Sequence, residues 1–502
     1  MPRWWFEHSS NRGGVRRVCL KTLNLLRDQA SVEFMSSPIS PDYGQQFLLP
    51  PALEDWVPED HPVRFIREYV DQLKLDELGF EVPSGSEGRP PYAAGLLLKI
   101  WLYGYLHRLR STRKLEVACR EHIGLLWLTG LISPDHNTLW RFWRDNRKAI
   151  GNLFRHSAQL AAERGMVGLA LQALDATKIQ AVASGRSGWT LKHMQELLAS
   201  LDKELAQAEQ QIEQAGTVEP GTEYRLPEDL QPKHALREMV KSGLQELEQS
   251  GRKHYHRHEP QSRRMSCDGK NRFGYNAQAL VDQKAGVVIA ADVTNQENDI
   301  GQLTPMAQQA RQNVASSDKA NPVVVADSGY GSGGDIAAAA DKGLNVLVYP
   351  MEGASSKNKP YHAKHFVYEP QSDCVRCPRG EALVHERSRQ INGQPVRVYR
   401  CHCSNCPVAK DCTKDPRGRE IAVGPHALPV QAMHQRLADT KEQERLRQRG
   451  EIVERFFGHL KEHEGFRRLT VRGLEAVKAQ WAMLCCASNL RLMIKKWRAE
   501  LA

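Results

Sequence analysis

The sequence predicts a multidomain chain, with a helical N-terminal region followed by an α/β domain that carries two insertions. Three observations predict it. Apolar residues recur at helical spacing from Phe47 to about Lys148. Period-two and short buried runs then alternate with helical stretches from Leu169 to Tyr349. Six of the eleven cysteines crowd between Cys374 and Cys412. A length of 502 residues fits two to four domains. Hydrophobic content of 41% with 25% charge excludes a fibrous or wholly disordered chain. The net charge of +10 favours, weakly, a polyanionic partner. The longest apolar run, Leu125–Ile132, falls far short of the roughly 18 residues that span a bilayer. No membrane partner is therefore expected.

The first residues, Met1–Phe34, read as an upstream extension or a disordered arm. Arg12, Arg16 and Arg17 precede a polar Leu20–Leu26 segment with no small-residue cleavage pattern, so a signal peptide is not expected. Residues 35–160 should form the helical domain. Pro62–Leu73 is amphipathic, Gly79–Pro91 is a Gly/Pro/Ser loop, and Tyr92–Leu109 is apolar nearly all round and should be central. Helices at Thr112–Glu121 and Ile123–Thr129 lead through the cap and breaker residues Ser133–Thr138 to a helix over Leu139–Ile150. Arg141, Arg144 and Arg147 recur every three residues on it, while Leu139, Trp140, Phe142 and Trp143 supply the packing face. A short helix, a turn and an Arg-lined helix outline a DNA-reading helix-turn-helix. A bundle with a solvated Arg face is the alternative.

Next, Asp175 interrupts the apolar strand-like run 169–182. A carboxylate in mid-strand is costly unless it is paired or bound to a cation, so Asp175 is a metal-ligand candidate beside the salt-bridge alternative. Residues 188–272 read as an insertion: a long helix over Trp189–Gln214, a linker over Thr217–Gln231, a helix over His234–Gln249 and a basic loop over Gly251–Arg272 that could track phosphates. Strands Tyr275–Asp282 and Val287–Val293 flank a hairpin turn, and Asp299–Arg311 is helical. Pro322–Asp327 is a buried strand ending in an acid, followed by the Gly-rich Ser328–Gly334 turn, a helix over Asp335–Lys342 and a strand over Leu344–Tyr349. Asp327 lies just past a strand's carboxyl end, where open α/β sheets place functional groups; capping the next turn is its alternative role. With the insertions removed, three strands are followed by alternating helices and strands, the outline of a ribonuclease-H-like domain over 165–350 and 426–495.

Near the C-terminus, Ile452, Val453, Phe456, Phe457 and Leu460 form one apolar stripe of a helix. Arg447, Glu454 and Lys461 are spaced by two turns on another side, with Gly458 leaving room beside Glu454. An acid between two cations suits a metal ligand at the edge of a phosphate-binding cleft, or a surface salt-bridge ladder. Residues 351–425 hold the cysteine cluster. Two Cys-x-x-Cys knuckles, Cys374/Cys377 and Cys403/Cys406, match a structural Zn²⁺ ribbon. Cys401 and Cys412 could substitute, and free thiols are the alternative. Such clustering also points to a reducing, cytoplasmic compartment.

Taken together, these residues resemble bacterial insertion-sequence DDE transposases of the branch with a Tyr-x2-Arg-x3-Glu-x6-Lys signature. The likeness covers about Phe47 to Met493. Its N-terminal part rests on Gln46–Pro51 and Pro90-Pro91-Tyr92, and its acids on Asp175-Ala176-Thr177, Ala326-Asp327-Ser328-Gly329-Tyr330 and Val453-Glu454-x-x-Phe457-Gly458-x-Leu460-Lys461. The signature's tyrosine and arginine positions hold Arg447 and Gly450, so Arg449 or Arg447 would have to serve as the substitute cation. The resemblance implies that Asp175, Asp327 and Glu454 bind two Mg²⁺ or Mn²⁺ ions, with Lys461 and Arg449 on phosphate. It also implies cleavage of the element's terminal inverted repeats, joining to target DNA, and a homodimer or higher oligomer on the nucleoid DNA. An inactive zinc-containing DNA-binding repressor, or a nuclease that cuts without joining, are the alternatives.

Overall fold

The computed structural model describes residues 52–81, 90–182, 185–214, 230–314, 321–351, 360–391, 393–401 and 406–502. All of these lie in one compact unit, Ala52–Ala502. The arm at Met1–Phe34, the Gln46–Pro51 motif, Cys403 and most of the 217–231 linker and the 79–91 loop lie outside the described residues.

Six helices open the chain: α1 (Pro62–Asp71), α2 (Ala94–Leu106), α3 (Thr112–Glu121), α4 (Ile123–Thr129), α5 (His136–Asp145) and α6 (Arg147–Glu163). The all-round apolar surface of α2 is matched by its position, with Leu98, Ile100 and Leu102 fully buried. Gly104 is required there, because a Cβ would stand 2.6 Å from Leu115 on α3 and 2.7 Å from the Leu109 carbonyl. Asp135 caps α5 through the Thr138 N–H at 2.8 Å. The single helix expected over Leu139–Ile150 is broken at Asn146. The buried Asn146 amide donates to the Phe142 carbonyl at 2.9 Å and accepts from the Glu81 N–H at 2.7 Å, which ends one helix and starts the next. Trp140 is also not a packing residue, since it is 40% exposed.

The central sheet holds β1 (Leu171–Gln180), β4 (Arg263–Cys267), β5 (Lys270–Asp282), β6 (Val288–Thr294), β7 (Val323–Ala326) and β8 (Val346–Val348). Between β1 and β4, the strands β2 (Gly188–Thr190) and β3 (His254–His256) pair antiparallel and close the base of a hairpin of α7 (Leu191–Gln214) and α8 (Gln231–Ser250). This hairpin has its own small core around Met194, Val240, Leu247 and Tyr255. The basic 251–272 stretch is therefore not a loop but mostly strand. Arg252 and Arg263 both pair with Glu246 of α8 and tie the hairpin to β4.

In the sheet, β5 runs antiparallel to both β1 and β6, and the hairpin predicted at Gln283–Gly286 joins β5 to β6. On its other side β1 is parallel to β7, and β7 is parallel to β8. The order is thus β6, β5, β1, β7, β8, with β4 pairing the first half of β5. Helices α9 (Leu303–Asn313) and α10 (Gly333–Asp341) connect the later strands; α9 starts later than the helix expected from Asp299. The cysteine-rich segment forms a second, all-antiparallel sheet of β9 (Val367–Glu369), β10 (Cys374–Arg376), β11 (Ala382–Ile391), β12 (Gln394–Arg400) and β13 (Glu420–Val423), with a one-turn α11 (Ala409–Cys412). Its small core is organised by Leu383 and Tyr399. Beside it the 3% exposed Arg400 bonds Glu386, Asp415 and Glu420 at once.

Three helices finish the chain: α12 (Ala427–Arg436), α13 (Thr440–Gly458), which runs on into a π-helical turn at His459–His463, and the 28-residue α14 (Leu474–Leu501). One apolar core runs from Val57 through the central sheet to Met493, and α14 is its axis. Fully buried Asn489 caps the outer edge of β6, accepting from the Val288 N–H at 2.9 Å and donating to its carbonyl at 2.8 Å. The Trp481 indole donates to the Gln278 carbonyl of β5 at 2.8 Å and packs on Phe456 and Phe457 of α13. No described helix is long and apolar enough to cross a membrane.

Trp481 therefore holds α13, α14 and the sheet together. Trp481→Ala is expected to lower stability by about 3–5 kcal/mol, measured by denaturant unfolding, as for other large-to-small changes in packed cores.

Candidate active site

Two of the predicted acids meet at the centre of the sheet. The last registered pair between β1 and β7 is Ala173 with Val325. Two residues further along each chain come Asp175, still on β1, and Asp327, the first residue past β7. Their carboxyls feel each other. Burial raises the Asp175 pKa above its ordinary value, and the Asp327 charge adds to that rise. Arg449 of α13 opposes it across a 2.7 Å ion pair, and the Ala176 N–H donates to the same carboxyl at 2.7 Å.

Asp327 caps the 3₁₀ turn Ser328–Tyr330 through the Gly329 N–H at 2.8 Å. Its two expected roles are thus compatible, because the capping oxygen is only one of its two. Gly329 is needed here: a Cβ would stand 2.9 Å from Asp327 and 3.5 Å from Asp299. Asp299 is a carboxylate that the sequence reading passed over. It accepts from Asn276 at 2.7 Å and Gln278 at 2.9 Å, both buried on β5. Gln278 in turn accepts from the Tyr330 hydroxyl. Fully buried Tyr330 lies in the field of Asp299, Asp175 and Asp327, which together with burial push its pKa well up. Two alternate polar residues inside the buried run 275–282 were the signal for this web.

Glu454 lies on the same helix as Arg449 but is exposed, about 7.5 Å further along the axis. Gly450, not Gly458, is the small residue beside it, 3.6 Å from the Glu454 carboxylate to a Cβ at that position. Arg447 pairs with exposed Glu444 at 3.3 Å. Lys461 falls in the π-helical turn, which breaks the seven-residue alignment, and it bonds Asp268 of the β4–β5 turn at 3.1 Å. Of the three arginines, Arg141 is exposed on α5, Arg144 is tied to Asp145 at 2.6 Å, and Arg147 opens α6 and is partly buried. They do not line one helix.

Five of the six clustered cysteines are described, Cys403 lying outside the described residues. The Cys374 thiol turns to Ser372 at 3.2 Å and Glu369 at 3.6 Å. Cys377, Cys401, Cys406 and Cys412 instead line one cavity of about 290 Å³. The tight turn predicted after Cys377 does form, with the Gly380 N–H on its carbonyl at 2.8 Å. Among the described residues no three His, Cys, Asp or Glu side chains are placed together so as to hold a metal ion. Asp175 and Asp327 still suit a hard divalent cation: both offer oxygen donors, and burial penalises an Asp175 charge that a cation would offset.

Two family models match the chain. Residues 51–145 match one described as a transposase domain (DUF772), which covers α1 to α5. Residues 356–494 match one described as a transposase DDE domain, which covers the cysteine-rich sheet, α13 and most of α14. No curated protein matches. Both descriptions are of transposase domains, which is consistent with an insertion-sequence DDE transposase.

The Asp175–Arg449 pair yields a pH prediction. Because burial raises the Asp175 pKa, its contribution to stability is present below the ordinary 3.8 and is lost as pH rises through the raised value. Arg449→Gln removes the strongest influence holding that pKa down. The Asp175 carboxyl should then titrate at a higher pH than in the parent, read from its ¹³C chemical shift; an unchanged or lower value would contradict the pairing.

Proposed function

We propose that the protein is a DDE transposase that cuts the ends of its element and joins them to target DNA. The observation that carries this reading is the placement of Asp175 on β1 beside Asp327, just past the parallel neighbouring strand β7, in a sheet of order β6-β5-β1-β7-β8 that fits a ribonuclease-H-like domain. The two transposase-family matches flank this sheet and supply its context.

In this reading Asp175 and Asp327 would hold divalent cations, Mg²⁺ or Mn²⁺, with Glu454 as the third carboxylate of the set. When bound, two such ions activate a water or a freed 3′-hydroxyl and stabilise the departing oxygen in an in-line displacement at phosphorus. The chain's own residues prepare that chemistry. Arg449 balances the Asp175 charge across their ion pair and would be the nearby cation for a phosphate. The Asn276–Gln278–Tyr330–Asp299 web holds the Asp327 turn rigid from below. Lys461 and Arg467 share Asp268 at the edge of the sheet, where a strand leaving the site would meet them. Arg141 and Arg144 on exposed α5 offer contacts to duplex DNA, Arg147 a lesser one. Two copies acting on the two element ends fit this chemistry. A structural Zn²⁺ would be held by four of the six clustered cysteines, of which Cys377, Cys401, Cys406 and Cys412 line one cavity.

Asp175→Asn, Asp327→Asn and Glu454→Gln should each abolish Mg²⁺-dependent cleavage and strand transfer of labelled element ends while retaining DNA binding in gel-shift assays. Cleavage surviving in any one variant would remove that residue from the set.

A further inference from the structure

A second cavity, of about 580 Å³, lies away from the acids, between the helical region and the loop that follows α13. Trp101 and Tyr105 of α2, Arg108 and Arg110 of the α2–α3 connection, Lys114 of α3 and Trp140 and Trp143 of α5 line it, with Phe466, Arg467 and Arg468 from the loop. Its size is within the range of small-ligand sites. Two N–H donors in its wall have no acceptor among the described residues: Trp143 Nε1, on a ring only 1% exposed, and the buried Arg110 Nε. Orphaned buried donors are costly, and they mark a place built for an acceptor that comes from outside.

The rest of the wall narrows the chemistry of that acceptor. Arg110 itself is neutralised by Glu464 at 2.5 Å, and its guanidinium lies over the Phe466 ring, so it is fixed rather than searching. Arg108 and Lys114 are exposed at the mouth. Trp143 is already stacked with Tyr105 and close to Trp101. Trp140 is the ring left open, at 40% exposure. Cations around an open aromatic face form the pattern that takes single-stranded nucleic acid, with phosphate on the cations and a base on the ring. A duplex backbone alone could not reach Trp143, because its phosphates stay at the surface.

The cavity is also registered to the acids. Arg468 bridges to Gln180 of β1, and the Leu469 N–H bonds the Gln180 carbonyl at 2.8 Å. Gln180 is five residues beyond Asp175, about 17 Å along the strand, or about five steps of a DNA strand. We propose that this cavity holds one unpaired nucleotide of the DNA strand whose phosphodiester lies at Asp175 and Asp327. The base stacks on Trp140 and offers acceptors to Trp143 and Arg110, and its phosphates lie on Arg108 and Lys114. This rests on the reading of the protein as a DNA transposase.

The test compares binding of two DNA duplexes with the same paired sequence, one blunt and one carrying a short additional unpaired flap, by fluorescence anisotropy with the full chain. The parent protein should prefer the flapped duplex by about tenfold, in the range of one base–aromatic stack. Trp140→Ala should bring that ratio close to one, and Arg108→Ala with Lys114→Ala should weaken the salt dependence of flap binding; circular dichroism checks that each variant is folded. Equal affinity of the parent for both duplexes, or a preference that survives Trp140→Ala, overturns the cavity assignment alone. Absence of binding to either duplex overturns the DNA-transposase reading with it.

Discussion

Two carboxyls held side by side at the middle of a buried sheet are the constraint on which the rest depends. Like charges in a poorly solvated place repel, and each also loses its hydration. The protein answers with one cation, Arg449, delivered from a helix far along the chain. That contact does more than neutralise. It fixes the rotation of α13 against β1, and so determines which of that helix's residues face the acids and which face solvent. Arg449 faces the acids in the resting protein and Glu454 does not.

The helix can be held this firmly because of what lies behind it. Trp481 joins Phe456 and Phe457 to the β5 backbone, and Asn489 closes the edge of β6. Glu464, 5% exposed, gathers Arg110, Arg491 and His459, so that the N-terminal helices and the C-terminal elements share one buried charge centre.

Much of this was legible in the sequence where the cause was local. Helices α3 and α4 fall on their expected residues because an apolar period and a Gly130 stop define them. The succession of strands from β5 to β8 followed from short apolar runs separated by turn residues, and Asp175 stood out as an acid inside an apolar run and Asp327 as one at a strand's end. What was not legible had distant causes. The break at Asn146 depends on the Glu81 N–H, far back in the chain. Gly450 rather than Gly458 flanks Glu454 because helical side chains lean towards the N-terminus, a rule of geometry that composition does not reveal. Asp299 sits in a turn without periodicity, and its importance appears only through Asn276 and Gln278 on another strand. The parting of Cys374 from the other thiols depends on Ser372 and Glu369, which no Cys-x-x-Cys spacing encodes.

The central claim is that Asp175 and Asp327 form one cation site kept in check by Arg449. Titration of the protein with Mn²⁺, followed by the loss of the free-ion electron paramagnetic resonance signal at neutral pH, tests it most directly. The account predicts saturable binding that weakens by at least about tenfold in both Asp175→Asn and Asp327→Asn, since each removes a charged oxygen donor. Mn²⁺ binding that is equally tight in both variants would contradict it.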